Sequence, residues 1–454
     1  MEARRSCVWV CLGVALFALF GAVTVQAGTN LYWVGVNNGT TLGGAGTWST
    51  ASNNWSQSSN ATGNVGPWQV WSNNANDTAV FNGGSTYQVT ISGTVNVFQV
   101  SEAQSGTTPT LSGGTINLVG PGAGFIYTAG ASVGLATTLA GTNGLTQVAT
   151  DLNGVNYNNG GAYNLSVAAT YSGNTSLRGT WQLAAANALP ATTIVTLGGT
   201  GTNTSSSSPS GYIQMRGNDQ QFAGLESAAA SGAISSRTGT AGKTLTLSRG
   251  SGTSTFGGAF LNSRPATAPD GNDMLFNVVK DGNYTQVVGG GSADTYPSTN
   301  PGTNLVKAGV LALNKAAGTD AMGTGPYVVS GGQLRLDASN QINNAVSMTL
   351  TGGTFNINGF SESFSNLTVA AASTLDFGTG GANILSLSNV VWSAGQLTVT
   401  NWTYGKHLRV VNAPSAGSLA HIAFVGFASH ATVVAFGGYY EVLPPPTGTL
   451  ILFH

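Results

Sequence analysis

One short pattern recurs along this chain: glycine, a variable residue, then apolar, polar, apolar. It reads Gly93-Thr94-Val95-Asn96-Val97, Gly114-Thr115-Ile116-Asn117-Leu118 and Gly179-Thr180-Trp181-Gln182-Leu183. It returns as Gly309-Val310-Leu311-Ala312-Leu313, Gly332-Gln333-Leu334-Arg335-Leu336 and Gly353-Thr354-Phe355-Asn356-Ile357. Ser373-Thr374-Leu375-Asp376-Phe377 and Gly395-Gln396-Leu397-Thr398-Val399 close the series. From 93 to 114 is 21 residues, and from 309 the steps are 23, 21, 20 and 22. Period-two alternation marks each unit as a strand, and a repeat of this length marks a solenoid. The Leu/Asn consensus of leucine-rich repeats is missing, and no helical pattern of useful length follows the first residues. The expected fold is therefore all-β, a right-handed parallel β-helix (β-solenoid) with rungs of about 21 residues. About 15 rungs between 80 and 400, stacked at roughly 4.8 Å, would make a rod on the order of 70 Å long.

In each unit the two apolar residues point inward and the residue between them outward. Val95 and Val97 are expected to stack under Ile116 and Leu118. Leu334/Leu336, Phe355/Ile357 and Leu375/Phe377 should form a second column, with Arg335, Asn356 and Asp376 outside. The leading glycine permits a sharp corner, with φ > 0 where needed. Asn96, Asn117 and Asn356 share the outward position, so neighbouring rungs can carry amide ladders.

The first residues bear on the compartment. Arg4 and Arg5 precede an apolar stretch from Val8 to Val25, and Val25-Gln26-Ala27 is a signal-peptidase site. Cleavage after Ala27 is expected; the alternative is an uncleaved anchor. No later segment is long and apolar enough to span a bilayer. Both cysteines, Cys7 and Cys11, lie inside the signal, so stability rests on the core and the backbone ladder. Only 6% of residues are charged, against about 25% in ordinary domains. Removing Glu2, Arg4 and Arg5 leaves 12 basic and 14 acidic residues without any run of one sign. That excludes an electrostatic footprint for nucleic acid. Solubility must come from Ser, Thr, Asn and Gly, a surface suited to hydrogen bonding with sugars or other polar chains.

The segment Thr170-Tyr171-Ser172-Gly173-Asn174-Thr175, through Gly179-Thr180-Trp181-Gln182-Leu183 to Asn187-Ala188-Leu189-Pro190, resembles the autotransporter-associated β-strand repeat almost throughout. Leu305-Val306-Lys307-Ala308-Gly309-Val310-Leu311-Ala312-Leu313 is similar to its other half. Between about 195 and 300 only fragments such as Thr244-Leu245-Thr246-Leu247 fit. The resemblance implies a bacterial passenger-type β-helix, secreted or at the cell surface, with no family catalytic residues to carry over.

Four segments are expected: a signal peptide at 1–27, a Trp-rich N-terminal cap at 28–80, the parallel β-helix at 81–400, and a C-terminal closing module at 401–454. Five of nine tryptophans (Trp33, Trp48, Trp55, Trp68 and Trp71) fall in the second. They fit a cover for the terminal rung or an exposed sugar-binding platform. The last segment holds His407, His421, His430 and His454, at spacings that fit no metal signature. Asn401-Trp402 and His421-Ile422-Ala423-Phe424 look like the closing module of proteins that end in a Pro-Glu-Pro sorting signal. Pro444-Pro445-Pro446 stands where that signal would begin, without the membrane stretch, basic tail or translocator barrel that anchoring would use.

Chemical motifs are weak. Pro269-Asp270-Gly271-Asn272-Asp273-Met274-Leu275 contains half of a calcium-binding nonapeptide, in one copy. No G-x-S-x-G, H-E-x-x-H or P-loop occurs. Asp337 and Asp376, with Arg335 nearby, come closest to an acid/base pair, yet they hold different places in their units. The sequence reading is thus a non-catalytic β-helical scaffold or passenger, open to an adhesive use, with no catalytic, cofactor-binding or metal-binding residues and no cofactor. Two alternatives stay open: a glycan-binding adhesin, and a β-helix polysaccharide lyase or hydrolase. The partners expected are extracellular polysaccharide or other cell-surface proteins.

Overall fold

The repeated strands stack on one another in parallel, in the register that the glycine pattern predicts. The computed structural model describes residues 28–35, 41–59, 66–83, 85–102, 108–126, 132–148, 162–198, 211–227, 232–237, 241–262, 273–289, 298–427 and 430–445. The signal peptide expected at 1–27, residues 269–272 of the calcium-like segment, and 446–454 with His454 lie outside them.

Four sheets carry the described strands. The first and second run from Asn30–Trp33 to Gly224–Ser227 and from Gly46–Trp48 to Ala259–Leu261. The third and fourth run from Gln220–Phe222 to His407–Val410 and from Thr253–Phe256 to Ile422–Phe424. Nearly all neighbours within a sheet are parallel. The chain passes from sheet to sheet at corners and returns to the same sheet one turn later. Around the middle a turn has three sides: Gln220–Phe222, Gly224–Ser227 and Ala233–Arg237 lie on three different sheets. Longer strands bend across two sides. Thr108–Leu118 pairs with Val133–Gly141 in two stretches, the register shifting between Ala136 and Thr138.

The expected columns are present. Val95 and Val97 face Ile116 and Leu118 as direct partners. Leu334, Phe355 and Leu375 lie one above another on consecutive turns. These residues, with Leu336, Ile357 and Phe377, are buried, while Arg335, Asn356 and Asp376 are half-exposed. A slip of one residue would have inverted every one of these positions. One large apolar core extends from Leu31 to Val442, with small separate clusters at Tyr212/Ala233/Ala259/Leu261 and at Val34/Leu42. Two corner glycines show why the pattern begins as it does. Gly114 (φ 42°) and Gly309 (φ 64°) are left-handed, and a Cβ at Gly309 would stand 2.4 Å from the carbonyl oxygens of Gly282 and Tyr284.

Along the first and fourth sheets the described strands stack in 16 levels, 14 of them between Thr78–Phe81 and Leu397–Thr400, close to the 15 expected there. Eighteen residues separate Tyr163 from its partner Trp181, but 32 separate Trp181 from Ile213. Several turns are thus longer than the spacing of the glycine motif, because extra chain is inserted at the corners. At roughly 4.8 Å per level the stack is roughly 70 Å long. Among the described residues helix amounts to one short element, Ala416–Leu419, beside Ile384–Trp392.

At both ends strand direction reverses. Trp55–Ser56 pairs antiparallel with Asn30–Trp33, and Trp68–Gln69 pairs antiparallel with Trp55–Ser56. At the far end the hairpin Thr432–Phe436/Tyr439–Leu443 pairs antiparallel with His407–Val410. Trp33, Trp48, Trp55 and Trp71 are buried against one another and Phe81, with ring centroids as close as 4.8 Å for Trp55/Trp71. They build an aromatic core for the first turns rather than an exposed platform; Trp68 alone among the five is exposed, at 36%.

Replacing Leu336 with Ala removes a fully enclosed side chain from the column. We expect a loss of about 2–5 kcal/mol, measured as a shift in the urea-unfolding midpoint. The outward Arg335→Ala should cost clearly less.

Candidate binding surface

The outward positions of the turns carry small neutral polar side chains, and stacking aligns them into rows. Asn117 donates from Nδ2 to Asn96 Oδ1 at 2.7 Å, the amide ladder expected there. Asn356 is not part of such a row; its Oδ1 accepts from the backbone N–H of Asn358, two residues on. A longer ladder stands elsewhere. Asn412 donates to Asn389 and Asn389 to Asn366, each at 2.7 Å, and Asn366 donates to Ser347 at 3.2 Å. Sequence reading missed it, because these asparagines lie outside the glycine-led unit; their equal spacing of 23 residues was the available signal.

A surface groove of about 520 Å³ lies beside this region, lined by Gly318, Asp320, Asn340, Ile342, Asn343, Asn344, Ala345 and Ser363. Asp320 accepts a hydrogen bond from Asn343 Nδ2 at 2.7 Å. Glu362, buried beneath the wall, accepts from the backbone N–H groups of Gln341, Ile342 and Ser363. Burial pushes its carboxyl up to about 7, against the pull of those three donors, and the nearby Asp320 adds to the rise. Two carboxyl groups therefore share a neighbourhood. One is exposed enough to bind, and the other is spent on bracing the corner at 341–342.

The other carboxylates singled out in the sequence are not brought together. Asp337 is bound bidentately by Arg335, at 2.7 Å for both contacts, and accepts from Asn358 Nδ2. Asp376 accepts from the backbone of Gly378 and from Asn401 Nδ2. Each braces its own outer corner. His407 is paired with Glu441, His421 stacks on Trp392 with centroids 5.0 Å apart, and His430 forms an isolated bridge with Ala423. Asp273 and Met274 form a short strand antiparallel to Ala233–Arg237. Among the described residues, no three His, Cys, Asp or Glu side chains gather where they could hold an ion. Also among them, no helix is long and apolar enough to cross a membrane.

Buried cations were not expected either. Lys280 donates from Nζ to the carbonyls of Asp281, Gly282 and Ala308 at 2.8–3.1 Å and lies 4.0 Å from the Tyr284 ring centroid. Desolvation pulls its ammonium down to about 8, against the neighbouring Asp281. Lys406 donates to the carbonyls of Gly378 and Asn401, and Lys315 to that of Gly258. All three fasten corners.

Stacked turns, an apolar interior, polar outer rows and hairpin-covered ends define a parallel β-solenoid of the kind found in passenger domains. Over 165 residues the chain is 35% identical to the adhesin BmaC autotransporter of Brucella suis biovar 1 (strain 1330). The match covers 36% of this chain and 4% of that adhesin, in agreement with the strand-repeat resemblance read from the sequence. No family model matches the chain, and no solved structure does.

Glu362 makes stability depend on pH. Its folded-state value lies above the ordinary 4.5, so the native state holds the proton more tightly than the unfolded chain. The benefit is complete below about 4.5 and is lost as pH rises through about 7, at a cost of about 2–3 kcal/mol. Melting temperatures across pH 4–8 should show this fall in the natural protein and a flatter profile in Glu362→Gln.

Proposed function

We propose that this protein is a non-catalytic adhesive passenger, secreted or displayed at a bacterial surface, whose polar rows make many weak contacts with extracellular polysaccharide or with other cell-surface proteins. The observation that carries the reading is the similarity to an autotransporter adhesin, on a chain whose strands stack into one long solenoid. A stiff rod with repeated outward amides and hydroxyls presents the same hydrogen-bonding groups again and again. Contacts that are weak singly then add through multivalency. The carboxylates at Asp337 and Asp376 are engaged in bracing, which speaks for a scaffold over a lyase or hydrolase. We also assign residues 28–80 to the start of the rod, 81–400 to its body and 401–454 to its closing module.

The test is adhesion of the purified mature protein to a panel of glycans and to cell surfaces, with product release scored in parallel. Binding without cleavage is expected. It should change less than about threefold between 50 and 500 mM salt, because few charges are available for screening to act on. Cleavage of any polysaccharide, abolished by replacing one carboxylate, would overturn the proposal.

A further inference from the structure

A second groove, of about 340 Å³, runs along one corner of the solenoid and is lined by Asn174, Ala191, Thr192, Ile194, Gln221, Ala223, Ser248 and Arg249. These residues belong to four successive turns. Thr175–Leu177 pairs with Ile194–Leu197, which pairs with Gly224–Ser227, and Gln220–Phe222 pairs with Lys243–Ser248. The groove therefore follows the rod axis over roughly 14 Å, three rung spacings. Its lining combines the aliphatic Ala191, Ile194 and Ala223 with an amide or hydroxyl from each turn. Its volume lies at the lower end of the range of small-ligand sites, and its five polar lining residues make it a site for a polar ligand.

Arg249 at its end is the one charged residue of the lining. Among the described residues no hydrogen bond or ion pair engages its guanidinium, and Nε is buried without a partner. The group is held in place instead by the Tyr284 ring, whose centroid is 5.1 Å from Cζ. The turn beside it makes room: a Cβ on Gly252 (φ 92°) would come within 3.1 Å of Nη2. Lys280 lies on the same ring at 4.0 Å and is saturated by three carbonyls, so it contributes positive potential without competing for an anion. A half-buried arginine is ordinarily matched by a carboxylate, and among the described residues this one has none. Its planar fork fits a carboxylate at two points.

We propose that this corner groove binds one strand of an acidic polysaccharide lying along the rod, with a uronate carboxylate on Arg249 and sugar hydroxyls on Asn174, Thr192, Gln221 and Ser248. The inference rests on the adhesive reading above and names a ligand class and a place for it. One ionic contact, partly shielded from solvent, is compatible with weak overall salt dependence.

The test uses titration of the full mature protein with tetragalacturonate, its methyl ester and neutral maltotetraose. Tetragalacturonate should bind at least tenfold more tightly than either of the other two. Arg249→Gln should abolish that preference, while Arg249→Lys should retain only part of it. Arg216→Gln, outside the groove lining, should leave binding unchanged, and melting curves should confirm that each variant folds. Equal binding by natural protein and Arg249→Gln, equal binding of acid and ester, or no binding of the acid would each overturn the groove. Adhesion to the glycan panel that survives in Arg249→Gln would leave the adhesive reading standing while removing this site. Loss of all adhesion by the natural protein would remove the broader reading.

Discussion

The structure depends on one requirement: each turn's backbone N–H and C=O groups must meet those of the turns above and below. With two cysteines, both in the expected signal, and 6% charged residues, the described chain has little else to hold the stack but this ladder and the apolar column inside it. A buried backbone group left unpaired costs as much as a lost hydrogen bond, so register cannot drift without penalty. Stacking identical positions then brings the rest with it. Inward residues form continuous columns, and outward asparagines find their counterparts on the next turn. At the two ends, where the ladder would leave open edges, antiparallel hairpins take the place of a further parallel turn. A reversed edge is poorly suited to accept another rung, which limits edge-to-edge association.

Insertions at the corners interrupt the ladder, and polar side chains take over there. Gln147 accepts from the backbone N–H groups of Arg178 and Gly179 and from the Trp181 indole. Gln220 bonds both the N–H of Ala188 and the C=O of Ala185. Lys280, Lys315, Lys406 and Glu362 do the same with carbonyls or N–H groups. Burying such groups is tolerable because most of their polar atoms meet main-chain partners; Gln147 Nε2 is the exception, buried without a partner among the described residues. Their cost reappears as the altered proton affinities of Glu362 and Lys280.

Much of the fold was legible, and the reason is local. Alternation and corner glycines act within one unit, so residues 93–118 and 309–400 announce both strand and register. Between about 195 and 300 the pattern thins, and the structure shows why. Turns there use three sides, and the strand Phe276–Asp281 places Lys280 at an inward position whose partners are Leu247 and Val306. A lysine in an apolar column reads as an error until the corner carbonyls that receive it are seen. The two readings of the Trp-rich segment could not be separated from spacing, because burial of Trp33, Trp48, Trp55 and Trp71 comes from contacts among them and Phe81. The Arg249 groove was equally hidden. Its residues belong to four turns and share no motif, and its distinguishing feature is a missing partner.

Gln286 carries one more consequence. Gly224–Ser227 ends the first sheet and Thr253–Phe256 begins the fourth, so no strand ladder joins them. Instead the Gln286 amide accepts from the N–H of Leu225 at 3.1 Å and donates to its C=O at 2.8 Å, standing in for a peptide unit. The second and third sheets continue past the same level through regular pairing. Beside the Gln286 bridge, Ser254 Oγ donates to Glu226 Oε1 at 3.0 Å and the Gly257 N–H to Ser227 Oγ at 2.8 Å, so side chains alone splice the first and fourth sheets here. Load carried along the stack therefore passes this level through backbone ladders on two sides and through side-chain hydrogen bonds on the third.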